Sequence, residues 1–306
     1  MTRIADLFLT GLAAVIWGTV YLVTTRWLPG GYPLTTSLIR ALPAGLLLLA
    51  FVRELPKGVW LFRVFVLGGL NFSLFWWLLF ISAYRLPGGV AATVNALQPV
   101  FVVPLSWLLL GAPLRWATVG AALGGVVGVA LLVVQPGATL DAFGVAAGLG
   151  AAAAMALGTV LAKRWQPPVS ALTFTAWQLV AGGLMLAPFA LTLEPPLPSP
   201  TLPNLAGFVW LALFGAAVSY FLWFRGLARL GPQAVSPLVL ISPLTAILLG
   251  WLVAGETFTE IQLLGVALVM ISVSLSQRLA APLSAERGDR GEPEIRVQER
   301  GSQWSR

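Results

Sequence analysis

Long apolar stretches, separated by short runs of proline, glycine and charged residues, divide most of the chain into ten segments. Each segment has roughly the 20 residues that a helix needs to cross a bilayer, and none shows the short alternating pattern of a membrane β-strand. The pattern predicts an all-α integral membrane protein with ten transmembrane helices. The predicted spans are residues 6–26, 33–52, 62–84, 88–110, 115–134, 141–163, 170–193, 205–225, 232–254 and 260–280.

The pattern of spans and breaks occurs twice along the chain. Leu97-Gln98-Pro99-Val100 lies near the middle of the fourth span, and Ile241-Ser242-Pro243-Leu244 lies near the middle of the ninth, 144 residues later. Each half has five spans, an odd number, so the second half enters the membrane from the opposite side. We therefore expect a five-plus-five inverted repeat, with one repeat in residues 1–136 and the other in residues 137–280.

The two central prolines, Pro99 and Pro243, mark the breaks. A proline inside a helix removes one backbone hydrogen bond and bends or breaks the helix. Broken helices at corresponding places in two repeats are typical of transporters whose substrate site lies at the breaks. We expect both prolines to be hinges that let parts of the fourth and ninth spans tilt during alternating access.

Composition supports the membrane assignment and sets the orientation. The chain is 58% hydrophobic and only 9% charged, whereas about 25% of the residues of a soluble domain are charged. Nine Lys and Arg residues lie on one side of the predicted spans and two, Arg26 and Arg85, lie on the other. This bias predicts cytoplasmic N- and C-termini, and it explains the net charge of +7 without a nucleic-acid partner. Residues 281–306 are rich in Arg and Glu, which predicts a disordered cytoplasmic tail.

Polar side chains near mid-membrane indicate a binding site, because lipid cannot satisfy them. Asn95 and Gln98 are three residues apart in the fourth span and share one helix face, and Ser242 precedes the proline of the ninth. With the carbonyl groups freed by the prolines, they offer donors and acceptors without a full charge, which suits a zwitterionic solute. Hydrogen bonding between helices alone is the alternative.

Aromatic side chains at mid-depth are candidates for the wall of the same site. Trp17 and Tyr21 share a face of the first span, Trp77 follows Trp76 in the third, and Tyr220 lies in the eighth. An aromatic wall accepts apolar side chains by contact area rather than by strict geometry. Packing between helices or against lipid remains the alternative for each of them.

Three further polar residues are candidates for binding or gating. Arg40 is a full charge inside the second span, where it can reach outward, cap carbonyl groups or attract a substrate carboxylate. Gln178 is its counterpart in the second repeat, and we assign it to the substrate site. Glu256 lies at the outer boundary, where pairing with Arg26, Arg40 or Arg85 would form an outer latch.

Several kinds of chemistry are excluded by what the sequence lacks. There is no Cys and no His, and no Gly-x-x-x-x-Gly-Lys-Ser/Thr loop for nucleotide phosphates. We therefore expect no metal site, no cofactor and no enzymatic activity. The lack of mid-membrane acids disfavours organic cations as substrates, and it predicts facilitated diffusion or a weak proton dependence through Glu256.

Ten spans in two repeats, with Trp17-Gly18 in the first span, Arg40 in the second and Gly255-Glu256 closing the ninth, resemble the EamA-type drug/metabolite transporter superfamily. The resemblance covers about residues 5–280, and the Trp-rich spans are most similar to YddG-type exporters of aromatic and other neutral amino acids. It departs at Gly111-Ala112, where the first half lacks the acidic residue. The resemblance implies ten helices around a central cavity, walled mainly by spans three, four, eight and nine, with spans five and ten outside.

We therefore expect a multi-pass transporter of the bacterial plasma (inner) membrane. Its expected activity is export of small neutral or zwitterionic metabolites, foremost aromatic and other neutral amino acids, by alternating access. A broad-specificity exporter of drugs and toxic compounds is the alternative. Its expected partners are the substrate and the lipid bilayer. Gly120, Gly124 and Gly128 in the fifth span favour close packing within a monomer over a dimer face.

Overall fold

The computed structural model describes residues 3–112, 116–133, 141–230 and 235–280. All regular secondary structure in this part of the chain is helical: seven helices are long and apolar enough to cross a membrane, and three shorter apolar helices lie at the fifth, ninth and tenth predicted spans. The spans are α1 Arg3–Trp27, α2 Pro33–Val52, α3 Val59–Arg85, α4 Gly88–Leu110, α5 Trp116–Val133, α6 Ala142–Trp165, α7 Ala171–Leu193, α8 Leu202–Leu230, α9 236–254 and α10 Glu260–Ala280. The all-α class and the ten spans are confirmed, and the predicted tail 281–306 lies outside the described residues.

The helix ends follow local sequence signals. Asp141 caps α6 by accepting hydrogen bonds from the Phe143 and Gly144 backbone N–H groups. The repeat-related glycines Gly111 and Gly255 end α4 and α9 in left-handed conformations, with φ of 66° and 72°. A residue without Cβ adopts this conformation without strain, which explains why glycine recurs at both positions.

The spans α4 and α9 are each interrupted just before their central prolines, Pro99 and Pro243. In α4 the helix stops at Asn95 and restarts at Gln98, one residue before Pro99. In α9 a 3₁₀ segment gives way to α-helix at Ile241, two residues before Pro243. Proline is tolerated in the first turn of a helix, where its missing N–H would have no partner, and it disfavours helical geometry in the residue before it.

A second irregularity, which the sequence did not reveal, lies in α3 and α8. Gly69–Leu74 in α3 and Trp210–Val218 in α8 are π-helical. The two segments occupy corresponding places in the two repeats. Wide π turns leave carbonyl groups less completely paired within the helix and often lie at functional sites. The irregular segments of α3, α4, α8 and α9 thus lie in the helices expected to wall the cavity.

Close contacts between helices depend on glycine. Gly45 in α2 and Gly183 in α7 face each other's helices: a Cβ at Gly45 would lie 2.7 Å from the Val180 nitrogen, and one at Gly183 would lie 2.8 Å from the Leu42 Cβ. In α5, a Cβ at Gly128 would lie 2.8 Å from the Gly265 carbonyl oxygen of α10, whereas Gly120 and Gly124 face open space. The close packing expected for all three α5 glycines thus occurs at Gly128, and the oligomeric state stays a prediction.

The two parts of α4 share one neighbour and differ in another. Both parts pack against α6, but Gly88–Asn95 also packs against Ile241–Leu249 of α9. The first part lies towards the membrane face that carries the α1–α2, α3–α4, α7–α8 and α9–α10 connections. We call this the predicted outer face, after the charge distribution, and the opposite one the predicted cytoplasmic face. The change of neighbours opens a space between the repeats at the depth of the breaks.

Candidate functional site

A cavity of about 330 Å³ lies where α4 and α9 are interrupted. It is lined mainly by α1, α3, α4, α8 and α9, with single contacts from other spans that include Val273 of α10, a helix expected to lie outside. Nine residues predicted for binding, hinging or gating line the cavity: Trp17, Tyr21, Arg40, Asn95, Gln98, Pro99, Tyr220, Ser242 and Pro243.

Three predicted residues lie elsewhere. Trp77 packs against the hydrophobic core, and its neighbour Trp76 faces the cavity instead, because successive helical residues point about 100° apart. Gln178 is buried and accepts a hydrogen bond from Asn71 Nδ2 at 2.7 Å. The structure therefore places neither Trp77 nor Gln178 in the cavity wall, and Glu256 lies at the predicted outer face.

One side of the cavity is a continuous aromatic surface. The Trp17 ring centroid lies 5.5 Å from that of Tyr220 and 5.0 Å from that of Trp223. The Trp17 indole N–H donates to Ser219 Oγ at 2.9 Å, which fixes the ring and satisfies its polar edge. Trp223 lies three residues after Tyr220 in α8, so both side chains face the cavity from the same side of that helix.

Arg40 is buried, 4% exposed, and does not extend to the membrane surface. Its Nη2 donates to the Gly215 carbonyl oxygen at 2.9 Å, in the π-helical part of α8, and its guanidinium carbon lies 4.1 Å from the centre of the Trp76 ring. Its Nε has no hydrogen-bond partner, and Arg40 forms no ion pair within the described residues. The carbonyl-capping role is thus present, and a positive charge remains without a counter-ion.

The break in α4 supplies unpaired acceptors. The Asn95 Oδ1 is buried without a partner, although its Nδ2 donates to the Ala91 carbonyl at 3.0 Å. Pro99 cannot donate to the Asn95 carbonyl four residues earlier. Gln98 Nε2 donates to Thr159 Oγ1 at 3.2 Å. Thr159 was missed as a site residue, although the Gly-Thr-Val sequence shared by α1 and α6 pointed to its position.

The cavity therefore combines one unpaired cationic donor group, unpaired oxygen acceptors and an aromatic wall. No Asp or Glu is among the described residues that line it. An unsatisfied buried donor or acceptor costs roughly 1–3 kcal/mol, so a ligand that pairs with both gains that energy on binding. The arrangement is chemically complementary to a solute with a carboxylate, a hydrogen-bond donor and an apolar body.

Carboxylates at the predicted outer face connect the two repeats. Glu256 accepts hydrogen bonds from the Gly88 and Gly89 N–H groups, with oxygen–nitrogen distances of 2.6 and 3.2 Å, at the start of α4. Glu194 accepts in the same way from Leu34 and Thr35 at the start of α2, at 2.7 and 2.8 Å. The first N–H groups of a helix have no partners within the helix and carry partial positive charge.

Glu256 therefore does not form the predicted ion pair with Arg26, Arg40 or Arg85. Arg85 instead pairs with Asp141 at the start of α6. The hydrogen bond from Arg85, with those from the Gly144 and Phe143 N–H groups, holds the pKa of Asp141 below its ordinary value. A latch between the repeats exists at Glu256, but backbone amides rather than an arginine complete it.

At the predicted cytoplasmic face, an ion pair joins α1 to α8. Asp6 is buried and lies 2.8 Å from Arg225 Nη2 and 3.6 Å from Arg229 Nη1. Arg164 of α6 donates to the Leu109 carbonyl of α4 at 3.1 Å. Asp6 was not predicted from the sequence. An acid in the first turn of one span and arginines in the last turns of another are the pattern that would have indicated this ion pair.

Comparison with known proteins gives a family for this geometry. A sequence model described as the EamA-like transporter family matches residues 5–134 and 142–277, one segment in each half of the chain. Protein PecM of Dickeya dadantii (strain 3937) is 44% identical over 270 residues, which cover 88% of this chain and 91% of PecM. The uncharacterized inner membrane transporter YedA of Escherichia coli (strain K12) is 27% identical over 273 residues, 85% of this chain and 87% of YedA.

A plant relative and a solved structure extend the likeness. The chloroplastic WAT1-related protein At3g02690 of Arabidopsis thaliana is 30% identical over 280 residues, 85% of this chain and 66% of that protein. A crystal structure with 20% sequence identity has a TM-score of 0.62 and matches 92% of this chain and 100% of its own. At that identity the crystal structure is evidence for the fold alone.

Proposed function

This chain belongs to the EamA-like transporter family and is a membrane transporter, and from that premise we propose that it exports small zwitterionic metabolites by alternating access. Aromatic and other neutral amino acids are the substrates that we propose, as in the YddG-type exporters. We place the protein in the bacterial plasma membrane with both termini cytoplasmic. The proposal assigns residues 1–136 and 137–280 to the two repeats and 281–306 to a cytoplasmic tail.

The observation that carries the substrate proposal is the pair of unsatisfied groups, Arg40 and Asn95, in one aromatic cavity. Arginine binds carboxylates by charge-assisted hydrogen bonds, which are roughly twice as strong as neutral ones. An ammonium group pairs with oxygen acceptors such as Asn95 Oδ1 and the carbonyl freed by Pro99. The aromatic wall of Trp17 and Tyr220 then accepts an apolar or aromatic side chain.

The same geometry argues against the drug-exporter alternative for cationic compounds. No described residue that lines the cavity is acidic, and Arg40 repels a positive charge. A phosphorylated solute would need several basic groups, whereas Arg40 is the one basic side chain among the described lining residues. Zwitterions with one carboxylate balance the charge of Arg40 and leave the acceptors to be paired.

We further propose that the structure represents the state closed at the predicted outer face. There Glu256 bonds to Gly88 and Gly89, and Arg26 donates to the Ala254 carbonyl at 3.0 Å, which ties α1, α4 and α9 together. Opening requires the first part of α4 to move away from α9, with Pro99 and Pro243 as hinges. Transport is then facilitated diffusion, or has a weak proton dependence through Glu256.

A substrate-analogue series in proteoliposomes tests the proposal. We expect phenylalanine to move fastest, 3-phenylpropionate (without the ammonium) to compete more weakly, and phenethylamine (without the carboxylate) not to compete. Labelled alanine, threonine and a dicationic dye complete the set. Movement of the dye with no flux of any amino acid would contradict the substrate proposal and favour the drug exporter.

A further inference from the structure

A second concavity, a groove of about 520 Å³, lies between α1, α8 and α9 near the predicted outer face. Its lining is distinct from that of the central cavity. On α1, Thr19 lines the groove while the next residue, Val20, lines the central cavity, so α1 separates the two. Val253, in the groove wall, is 57% exposed, so the groove is open along the side of the molecule that faces the membrane.

The mouth of the groove carries a positive charge. Arg26 Nη2 donates to the Ala254 and Val253 carbonyl oxygens at 3.0 and 3.4 Å, in the last turn of α9. Arg26 forms no ion pair with any described residue, whereas Arg85 at the same face is neutralised by Asp141. Carbonyl groups orient the Arg26 guanidinium without removing its charge.

The walls below the mouth are apolar, with tryptophan at two depths. Leu22 and Leu249 line the middle of the groove, and Trp27, 45% exposed, lies at its mouth. Trp210 lies deeper, and its indole N–H donates to Thr19 Oγ1 at 2.8 Å. The indole N–H of Trp210 is therefore not available as a donor at the inner end of the groove. Arginine and tryptophan above an apolar slot are typical of the boundary between lipid headgroups and hydrocarbon.

We propose that this groove binds an anionic phospholipid from the leaflet at the predicted outer face. The lipid phosphate pairs with Arg26, and one acyl chain lies against Leu22, Leu249 and Val253. Thr19 is two helical turns from Arg26, or about 10 Å along α1. A free phosphate ion at Arg26 would leave the groove empty at that depth, whereas an acyl chain would fill it. A bound chain would press on α1 and α9 at the end where Glu256 joins the repeats, and so would favour the closed outer face.

Native mass spectrometry of the full-length protein in detergent tests the site, with phosphatidylglycerol and phosphatidylcholine of the same acyl chains as probes. We expect phosphatidylglycerol to be retained preferentially, and R26Q to lower its affinity about fivefold, the effect of one basic side chain near a membrane surface. R85Q is the matched control, because that arginine already has an acidic partner, and it should bind like the wild type.

A second pair of variants tests the apolar part independently of charge. V253W fills the groove and should displace the lipid, whereas L252W changes the neighbouring residue, which does not line the groove, and should not. Inorganic phosphate should compete weakly at most. Equal loss in R26Q and R85Q, equal retention of phosphatidylcholine, or full displacement by inorganic phosphate would each overturn the proposal. Lipid binding is measured without substrate, so its outcome is independent of the transport proposal.

Discussion

Two contacts that correspond in the two repeats have diverged in charge. In the first contact, Arg40 of α2 donates to the Gly215 carbonyl in the π-helical segment of α8, a helix of the other repeat. In the second, Gln178 of α7 accepts from Asn71 in the π-helical segment of α3. Both amide side chains of the second contact are buried away from the cavity, while Arg40 lines it. In both contacts a helix thus packs against a π turn, but only the contact made by Arg40 carries a charge.

A similar asymmetry separates the two faces of the membrane. At the predicted outer face, the Glu256 and Glu194 carboxylates lie on the first N–H groups of α4 and α2. At the other face, Ala112 occupies the position that corresponds to Glu256, and Glu54, which follows α2 as Glu194 follows α7, is exposed. Among the described residues, carboxylates bound to helix starts therefore join the repeats at the predicted outer face, whereas at the predicted cytoplasmic face Asp6 joins them through arginines.

The largest expected effect comes from removing the charge that distinguishes the first contact. R40Q should lower phenylalanine transport roughly 10- to 100-fold, because a hydrogen bond to a charged group contributes about 1.5–3 kcal/mol. The measurement is the initial rate of efflux from proteoliposomes, with K57Q as a control at an exposed basic residue. Wild-type rates in R40Q would contradict a role of Arg40 in substrate binding and leave it a structural one.

The second contact should affect stability rather than transport. N71A leaves the buried Gln178 amide without its donor, so the free energy of unfolding should fall by about 1–3 kcal/mol with little change in substrate affinity. A double-mutant cycle with Q178A should show less than additive losses, because the two side chains share one interaction. A large loss of substrate affinity in N71A would contradict the structural role.

The hinges should respond in the same way in both repeats. P99A or P243A allows a missing backbone hydrogen bond to form, which contributes about 0.5–1.5 kcal/mol and stiffens the break. Transport should slow roughly three- to tenfold, and the substrate Kd from tryptophan fluorescence should change less. Wild-type rates in both variants would remove the hinge role.

The latch at the predicted outer face should be weaker without its charge. E256Q should increase the outward-open population about fivefold, because neutral hydrogen bonds replace charge-assisted ones. The chain has no native Cys, so labelling of A92C in the cavity by an impermeant thiol reagent reports the opening. E260Q, at the same face, is the control. Equal labelling of A92C in the two variants would contradict a gating role for Glu256.

The smallest effect is expected at the exposed pair of Arg85 and Asp141. The pKa of Asp141 is lowered in the folded protein, so the pair stabilises above the ordinary carboxyl pKa and is lost as the pH falls through the folded value. D141N keeps a residue able to cap α6 and should lower the unfolding temperature slightly at neutral pH. The unfolding temperatures of the wild type and D141N should converge on acidification. A difference that does not depend on pH would contradict this assignment.

Much of the lining of the cavity was predictable, because few polar side chains occur at mid-membrane depth. Asn95, Gln98 and Ser242 were selected as polar groups beside prolines, and the structure places them at one cavity. Trp76 was not separable from Trp77, because the rotation of α3 about its axis depends on the π turn and on packing against α6 and α7. Glu256 was expected to pair with an arginine, because a sequence shows which residues are charged but does not show which N–H groups of a neighbouring helix are free.

The sequence by itself determined ten spans, their duplication and the positions of both breaks. Bilayer thickness fixes span length, and proline and glycine act on their own backbone. Only the tertiary structure decided that Arg40 is buried without a counter-ion, that Gln178 pairs with Asn71, and that Glu256 binds the start of α4. Each of these contacts joins residues more than 100 positions apart, so it depends on how helices of different repeats pack, which no local pattern specifies.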